Sequence, residues 1–257
     1  MSGDKTQFLT APDGARIAYR KQDGSGPTVV WLGGFRSDMT GTKAQALADA
    51  CAAAGRAFLR FDYFAHGESG GAFEDGTIGR WRADALEVID RLSSGPLVLV
   101  GSSMGGWIAT LAALARRDRT AGLVLIAPAH DFTAKLMAPG LSDAARAALA
   151  ATGRWERPSA YGDGPYVITQ ALLDEGARWN LLDGPIALDV PVRILQGMDD
   201  PDVPWRHGLA VAQGFSGPDV RLTLIKDGDH RLSRPADIAL LVNTVMTLAL
   251  PGPAHGA

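Results

Sequence analysis

The sequence predicts a doubly wound α/β fold, and three observations predict it. Six short apolar runs recur along 257 residues. Helix-like stretches fall between them. Each run is apolar almost throughout rather than at alternate positions, the pattern of parallel strands covered on both faces. Strand alternating with helix then gives a mostly parallel sheet with helices on either side.

In chain order, FLTAPDGARIAY (8–19) holds two short strands around the turn PDG, an antiparallel edge. TVVWL (28–32), AFLRF (57–61), LVLVG (97–101), GLVLI (122–126), VRILQ (192–196) and VRLTLI (220–225) are the buried strands, making about eight in all. TKAQALADACAAA, TIGRWRADALEVIDRL, MGGWIATLAALARR and PADIALLVNTVMTLAL are the helices between or after them. From Asp131 to Pro185 no strand of the buried kind occurs. SDAARAALAATG and VITQALLDEGARWNLL within it are helical, and Trp155, Tyr161, Tyr166 and Trp179 lie there. Insertions grow at strand ends, so this segment is expected to be a small helical lid. The predicted organisation is a core of residues 1–130 and 186–250, a lid of 131–185 and a loose tail of 251–257.

Composition narrows the function. Apolar residues are 46% and the net charge is −3. No Lys/Arg run has the length of a nucleic-acid or membrane patch. IALLVNTVMTLAL is too short and too polar to span a bilayer. Cys51 is the sole cysteine and sits among alanines, as a small buried residue would. The start, MSGDKTQF, carries no signal or transit pattern, so a cytoplasmic protein is expected. Neither nucleotide-binding glycine motif occurs, and no cysteine/histidine cluster has zinc spacing, so no cofactor or metal is expected.

GSSMG (101–105) stands between a buried strand and a helix. The frame G-x-S-x-G fits Ser103, flanked by Gly101 and Gly105, and fails for Ser102. A nucleophile on so sharp a turn needs neighbours without side chains. The turn also puts the Met104 N–H at a helix N-terminus, where negative charge is favoured. Ser102 fills space under the turn. A serine hydroxyl needs a base, and in such sheets the acid and then the histidine follow the serine in the chain. His66 and His130 come too early, His255 is in the tail, and His207 lies seven residues after the best acid. His230, in the loop KDGDH after VRLTLI, remains. The acid comes from GMDDPDVPW: the count from Gly197 to Val203 and Pro204 favours Asp200, with adjacent Asp199 as the alternative. The glycines of WLGGFRSDM suggest a second oxyanion donor at the Phe35 N–H, with Gly33 and Gly34 letting backbone approach substrate.

Together these residues resemble the α/β-hydrolase superfamily over nearly the whole chain. RFDYFAHGESGG (60–71) matches its D-x-x-G-x-G-x-S loop, with Ala65 in place of the first glycine. Gly33 and Gln196 stand where histidines usually precede the oxyanion glycine and Gly197. GTKA, RFDY, GSSMGGW, GMDDPDVPW, DHRLS and ADIALLV are similar to the S-depalmitoylase and acyl-glucuronide esterase type and its bacterial relatives. That resemblance implies an α/β-hydrolase fold and hydrolysis of acyl esters or thioesters through Ser103, Asp200 and His230. The partner would be a small-molecule or acyl-protein substrate, and the chain a monomer or homodimer. Gly34, Arg36, Trp155, Tyr166 and Trp179 are the candidate substrate contacts. The lid aromatics could equally be the lid's own core, and Arg36 could meet a carboxylate or only solvent. A C–C bond hydrolase on the same scaffold, or a non-catalytic ligand-binding protein, are the alternatives.

Overall fold

The structure is a computed structural model in which residues 5–157 and 166–249 are described. The expected tail at 251–257, and Tyr161 of the lid, lie outside these residues. Eight strands form one sheet: β1 (Gln7–Thr10), β2 (Arg16–Gln22), β3 (Ser25–Leu32), β4 (Arg56–Phe61), β5 (Leu97–Ser102), β6 (Thr120–Ile126), then β9 (Val192–Gly197) and β10 (Val220–Ile225). Their order is β1-β2-β4-β3-β5-β6-β9-β10. β2 pairs antiparallel with both β1 and β4, and all other pairings are parallel. The α/β-hydrolase fold expected from the sequence is the one observed.

Apolar residues at successive positions serve opposite faces, because side chains alternate along a strand. Val29, Val98, Val100, Val124 and Ile126 face the helices α1 (Thr42–Ala53) and α7 (Pro235–Leu248). Val30, Leu97, Leu99, Leu123 and Leu125 face α2 (Ile78–Leu92) and α3 (Met104–Ala115). Helix α6 (Trp205–Gly214) adds Val211 to that second core. Cys51 is buried in the first, and burial pushes its thiol up to about 11, which leaves it protonated and unreactive.

Between β6 and β9 the chain leaves the sheet. It forms a π-helical turn at Thr133–Met137, then α4 (Asp143–Thr152), β7 (Arg154–Arg157), β8 (Tyr166–Thr169) and α5 (Gln170–Gly176). The insertion is helical as expected but also carries a two-stranded hairpin that the sequence does not announce. β7 and β8 pair antiparallel, with Trp155 opposite Ile168, and take Val167–Thr169 out of the expected helix. The Thr169 side chain caps α5 by accepting the Leu172 N–H (3.1 Å). Both ends of the insertion meet at buried Asp131, whose carboxylate accepts the N–H groups of Leu181 and Leu182 (2.8 Å each).

The loop after β4 is organised by Asp62, which accepts N–H groups from Met39 (2.7 Å) and Glu68 (2.8 Å). Gly67 sits at φ 47°, where any Cβ would overlap the Asp62 carboxylate. Ala65, in the superfamily's glycine position, is held at φ 59°. The left-handed region disfavours alanine by about 1–2 kcal/mol, partly offset by the greater unfolded-state freedom of glycine. Ala65→Gly is therefore expected to stabilise the protein by about 0.5–1 kcal/mol, read as a higher denaturation midpoint at unchanged m-value.

Candidate active site

The site is assembled at the carboxyl ends of β3, β5, β9 and β10. Ser103 links β5 to α3 with φ 55° and ψ −121°, a conformation that L-residues avoid. Two packing facts explain the flanking glycines. A Cβ at Gly101 would overlap the Gly105 carbonyl, and one at Gly105 would overlap the Leu32 and Gly33 carbonyls. These are backbone atoms that cannot move aside. The Ser103 N–H donates to the Ile126 carbonyl (2.8 Å), which ties the turn to the neighbouring strand.

His230 reaches Ser103 across 127 residues of sequence: Nε2 lies 3.1 Å from the Ser103 Oγ. Its Nδ1 lies 2.8 Å from Asp200 Oδ2. A carboxylate only accepts, so Nδ1 carries the proton and Nε2 is left to take one from the serine. The Asp200 side chain is fully buried. Its Oδ1 accepts the N–H groups of Asp202 and Val203 (2.8 Å each) and Oδ2 also faces the Gln196 amide (3.3 Å). Asp199 is exposed and takes no part. Gln196, which the sequence marks only as a departure, is wholly buried and also donates to the Val203 carbonyl (3.0 Å), so it braces the loop carrying the acid. Among the described residues, ligand atoms of Asp200, Asp202 and His230 lie within 4.8 Å of one another and could hold a metal ion. A cation there would compete with the His230–Asp200 bond.

Phe35 and Met104 sit where the sequence places them, on the loop after β3 and at the first turn of α3, and both line the same cavity as Ser103. The Phe35 ring is fixed edge-on by Phe73 (5.0 Å), Trp81 (5.8 Å), Phe132 (5.8 Å) and Tyr166 (6.3 Å). A Cβ at Gly34 would press on the Ser102 carbonyl (3.3 Å) and Ser103 Cβ (3.4 Å), so the loop approaches the serine turn closely.

The cavity holds about 470 Å³. Phe132, Leu136, Met137 and Ile168 form an apolar wall from the lid and its entrance. Arg36, Lys43, Arg157 and Arg231 bring positive charge to its lining. Lys43 donates to the Arg231 carbonyl, beside His230, and burial lowers its ammonium to about 8.

Of the candidate substrate contacts, Gly34, Arg36 and Tyr166 line the cavity. Arg36 lies over the rings of Phe73 (5.4 Å) and Tyr166 (5.0 Å). Trp155 and Trp179 are not among the lining residues, and their assignment is corrected. Trp155 is half-buried in the lid hairpin. Trp179 binds Glu175 through its ring N–H (2.5 Å), accepts the Trp107 N–H at its carbonyl (3.1 Å), and is covered by Arg82. It joins the lid to α3. Two other histidines are elsewhere: His130 is buried against Thr110 (2.8 Å), and His66 lies behind the Phe35 loop.

The arrangement can remove a hydroxyl proton and hold the resulting imidazolium. Comparison with known proteins places it. Residues 27–171 match the family described as serine aminopeptidase, S33. The chain is 40% identical over 239 residues to the mitochondrial palmitoyl-protein thioesterase ABHD10 of Bos taurus, covering 93% of this chain and 78% of the relative. The human ABHD10 is 39% identical over the same length. A crystal structure from Agrobacterium vitis S4 superposes with a TM-score of 0.93 at 45% identity, covering 96% of this chain and 99% of that one. Mouse ABHD10 gives 0.87 at 36%, covering 95% and 98%. The chain belongs to the α/β-hydrolase superfamily of serine hydrolases, in the branch that includes ABHD10.

Proposed function

We propose that this protein hydrolyses acyl esters and thioesters through an acyl-enzyme on Ser103. The observation that carries the proposal is the unbroken chain from the Ser103 Oγ through both nitrogens of His230 to the buried Asp200. Ser103 attacks the acyl carbon while His230 Nε2 takes its proton. The N–H groups of Phe35 and Met104 hold the oxyanion, and Asp200 stabilises the imidazolium without being protonated. His230 then protonates the departing alcohol or thiol. Water, deprotonated by the same nitrogen, releases the acid.

The apolar wall of the cavity supports an acyl chain there, and the relatives named as palmitoyl-protein thioesterases support the same class. Each buried methylene is worth about 0.8 kcal/mol, close to a fourfold change. In matched series of esters and thioesters, kcat/KM is expected to rise by up to about fourfold per added methylene until the wall is covered, then level off. Mass spectrometry of the quenched enzyme should find the acyl group on the peptide carrying Ser103. A flat series would remove the acyl-chain assignment, and no covalent adduct with any substrate would remove the mechanism. Among the described residues no helix is long and apolar enough to cross a membrane. The ABHD10 relatives are mitochondrial by name; a cytoplasmic location here rests on the sequence pattern and is checked by fractionation of the native host.

A further inference from the structure

We propose that His66 positions the oxyanion donor Phe35, by accepting the Arg36 N–H at Nε2 while anchoring its own Nδ1–H on the Phe64 carbonyl. This rests on the Ser103 hydrolase reading above and goes beyond it, because His66 belongs to neither the triad nor the pair of oxyanion donors.

The geometry determines the hydrogen positions. The Arg36 N–H, 3.1 Å from Nε2, can only donate. The Phe64 carbonyl, 3.0 Å from Nδ1, can only accept. One neutral tautomer satisfies both contacts, and a protonated ring would set an N–H against an N–H. The surroundings maintain neutrality: His66 is 3% exposed, and burial lowers it to about 4. Its ring is wedged edge-on against Trp81 (5.2 Å) and Tyr63 (5.6 Å), and Trp81 shares the Phe64 carbonyl (3.1 Å). His66 is thus a fixed post.

What the post holds is a strained peptide. Arg36 has φ 58°, in the left-handed region, although it is not glycine. The peptide between Phe35 and Arg36 is turned so that its N–H points back at His66. The preceding peptide supplies the Phe35 N–H. A shift in the first therefore rotates the second. Without His66, the part-buried Arg36 N–H would lose its acceptor and the left-handed residue a restraint. An oxyanion donor acts only when already aimed at the developing charge.

The test compares three variants with the wild-type chain and with Ser103→Ala. His66→Gln keeps an acceptor at about the reach of Nε2. His66→Asn keeps a donor for the Phe64 carbonyl but falls short of Arg36. His66→Phe keeps the ring and loses both bonds. The readouts are kcat and KM for a p-nitrophenyl ester and the inhibition constant of a trifluoromethyl ketone, whose serine adduct carries an oxyanion. For His66→Phe and His66→Asn, kcat is expected to fall by about 10- to 100-fold, less than the loss of a donor outright, with KM little changed. Ketone binding should weaken in parallel, and His66→Gln should recover most of both. If His66→Phe does not fold, Asn against Gln makes the same comparison. Unchanged kcat and ketone affinity in folded His66→Asn would overturn the assignment, as would a change in KM alone. A wild-type chain indistinguishable from Ser103→Ala would overturn the hydrolase reading and this one with it. An active wild type insensitive to His66 overturns this one alone.

Discussion

Ser103→Ala is expected to lower kcat for ester hydrolysis by about 10⁴- to 10⁶-fold, with little change in KM. Removing the hydroxyl removes the nucleophile, while the cavity beside it is left intact. His230→Ala should lose about as much, because an unassisted hydroxyl is a poor nucleophile. The double variant should be no worse than either single one, since the two side chains act as one unit through a single 3.1 Å contact. Labelling by a fluorophosphonate probe gives an independent check: it should vanish in Ser103→Ala. Persistent labelling, or additive losses in the double variant, would contradict a shared role.

Gly105→Ala is expected to be the most damaging single-methyl addition at the site. The new Cβ would overlap the carbonyl oxygens of both Leu32 and Gly33. Neither is the end of a flexible side chain, so β3 and α3 must separate. Overpacking of this kind destabilises by about 1–3 kcal/mol, sometimes more. In a chain of this size that lowers the melting temperature by roughly 2–12 °C. The displaced elements carry Phe35 and Met104, so activity should fall by more than the loss of folded protein explains. The measurement is kcat per folded molecule, with the folded fraction taken from circular dichroism. Gly140→Ala is the control: a Cβ there meets nothing within 4 Å, and neither quantity should change appreciably.

The fold was legible because it rests on local chemistry. Strands buried on both faces are continuously apolar, and five of the six runs form such strands; VRLTLI also forms a strand, but β10 lies at the sheet's edge and is half-exposed, so the expectation that it is buried is corrected. Ser103 and its glycines were legible for a related reason: the strained turn restricts its neighbours. The lid hairpin was not. Its strands RWER and YVIT are four residues each, the first mostly exposed and the second mostly half-buried, and lack the paired alternation that marks a hairpin. The tryptophans misled because a ring's direction depends on tertiary packing. Trp179 turns to Glu175 and Arg82, while Tyr166, of the same apparent kind, turns to the cavity. In the sequence Gln196 is only a departure from the superfamily pattern and His66 only a histidine in the wrong place in the chain order. Their partners are backbone groups and a carboxylate that only folding brings near. Lys43 reaches the Arg231 carbonyl from 188 positions away, and no local pattern encodes that.

The carboxylate of Asp131 gathers the first and last strands of traffic to the insertion into one knot, some fifty positions apart in sequence. Everything that shapes the apolar wall beyond it hangs from that knot, while the nucleophile, base and acid are rooted in the sheet below. Evolution, or an engineer, could therefore exchange the segment at this junction as a cassette that reshapes the wall, so long as the aromatic contacts of Phe132 and Tyr166 with the Phe35 ring are kept.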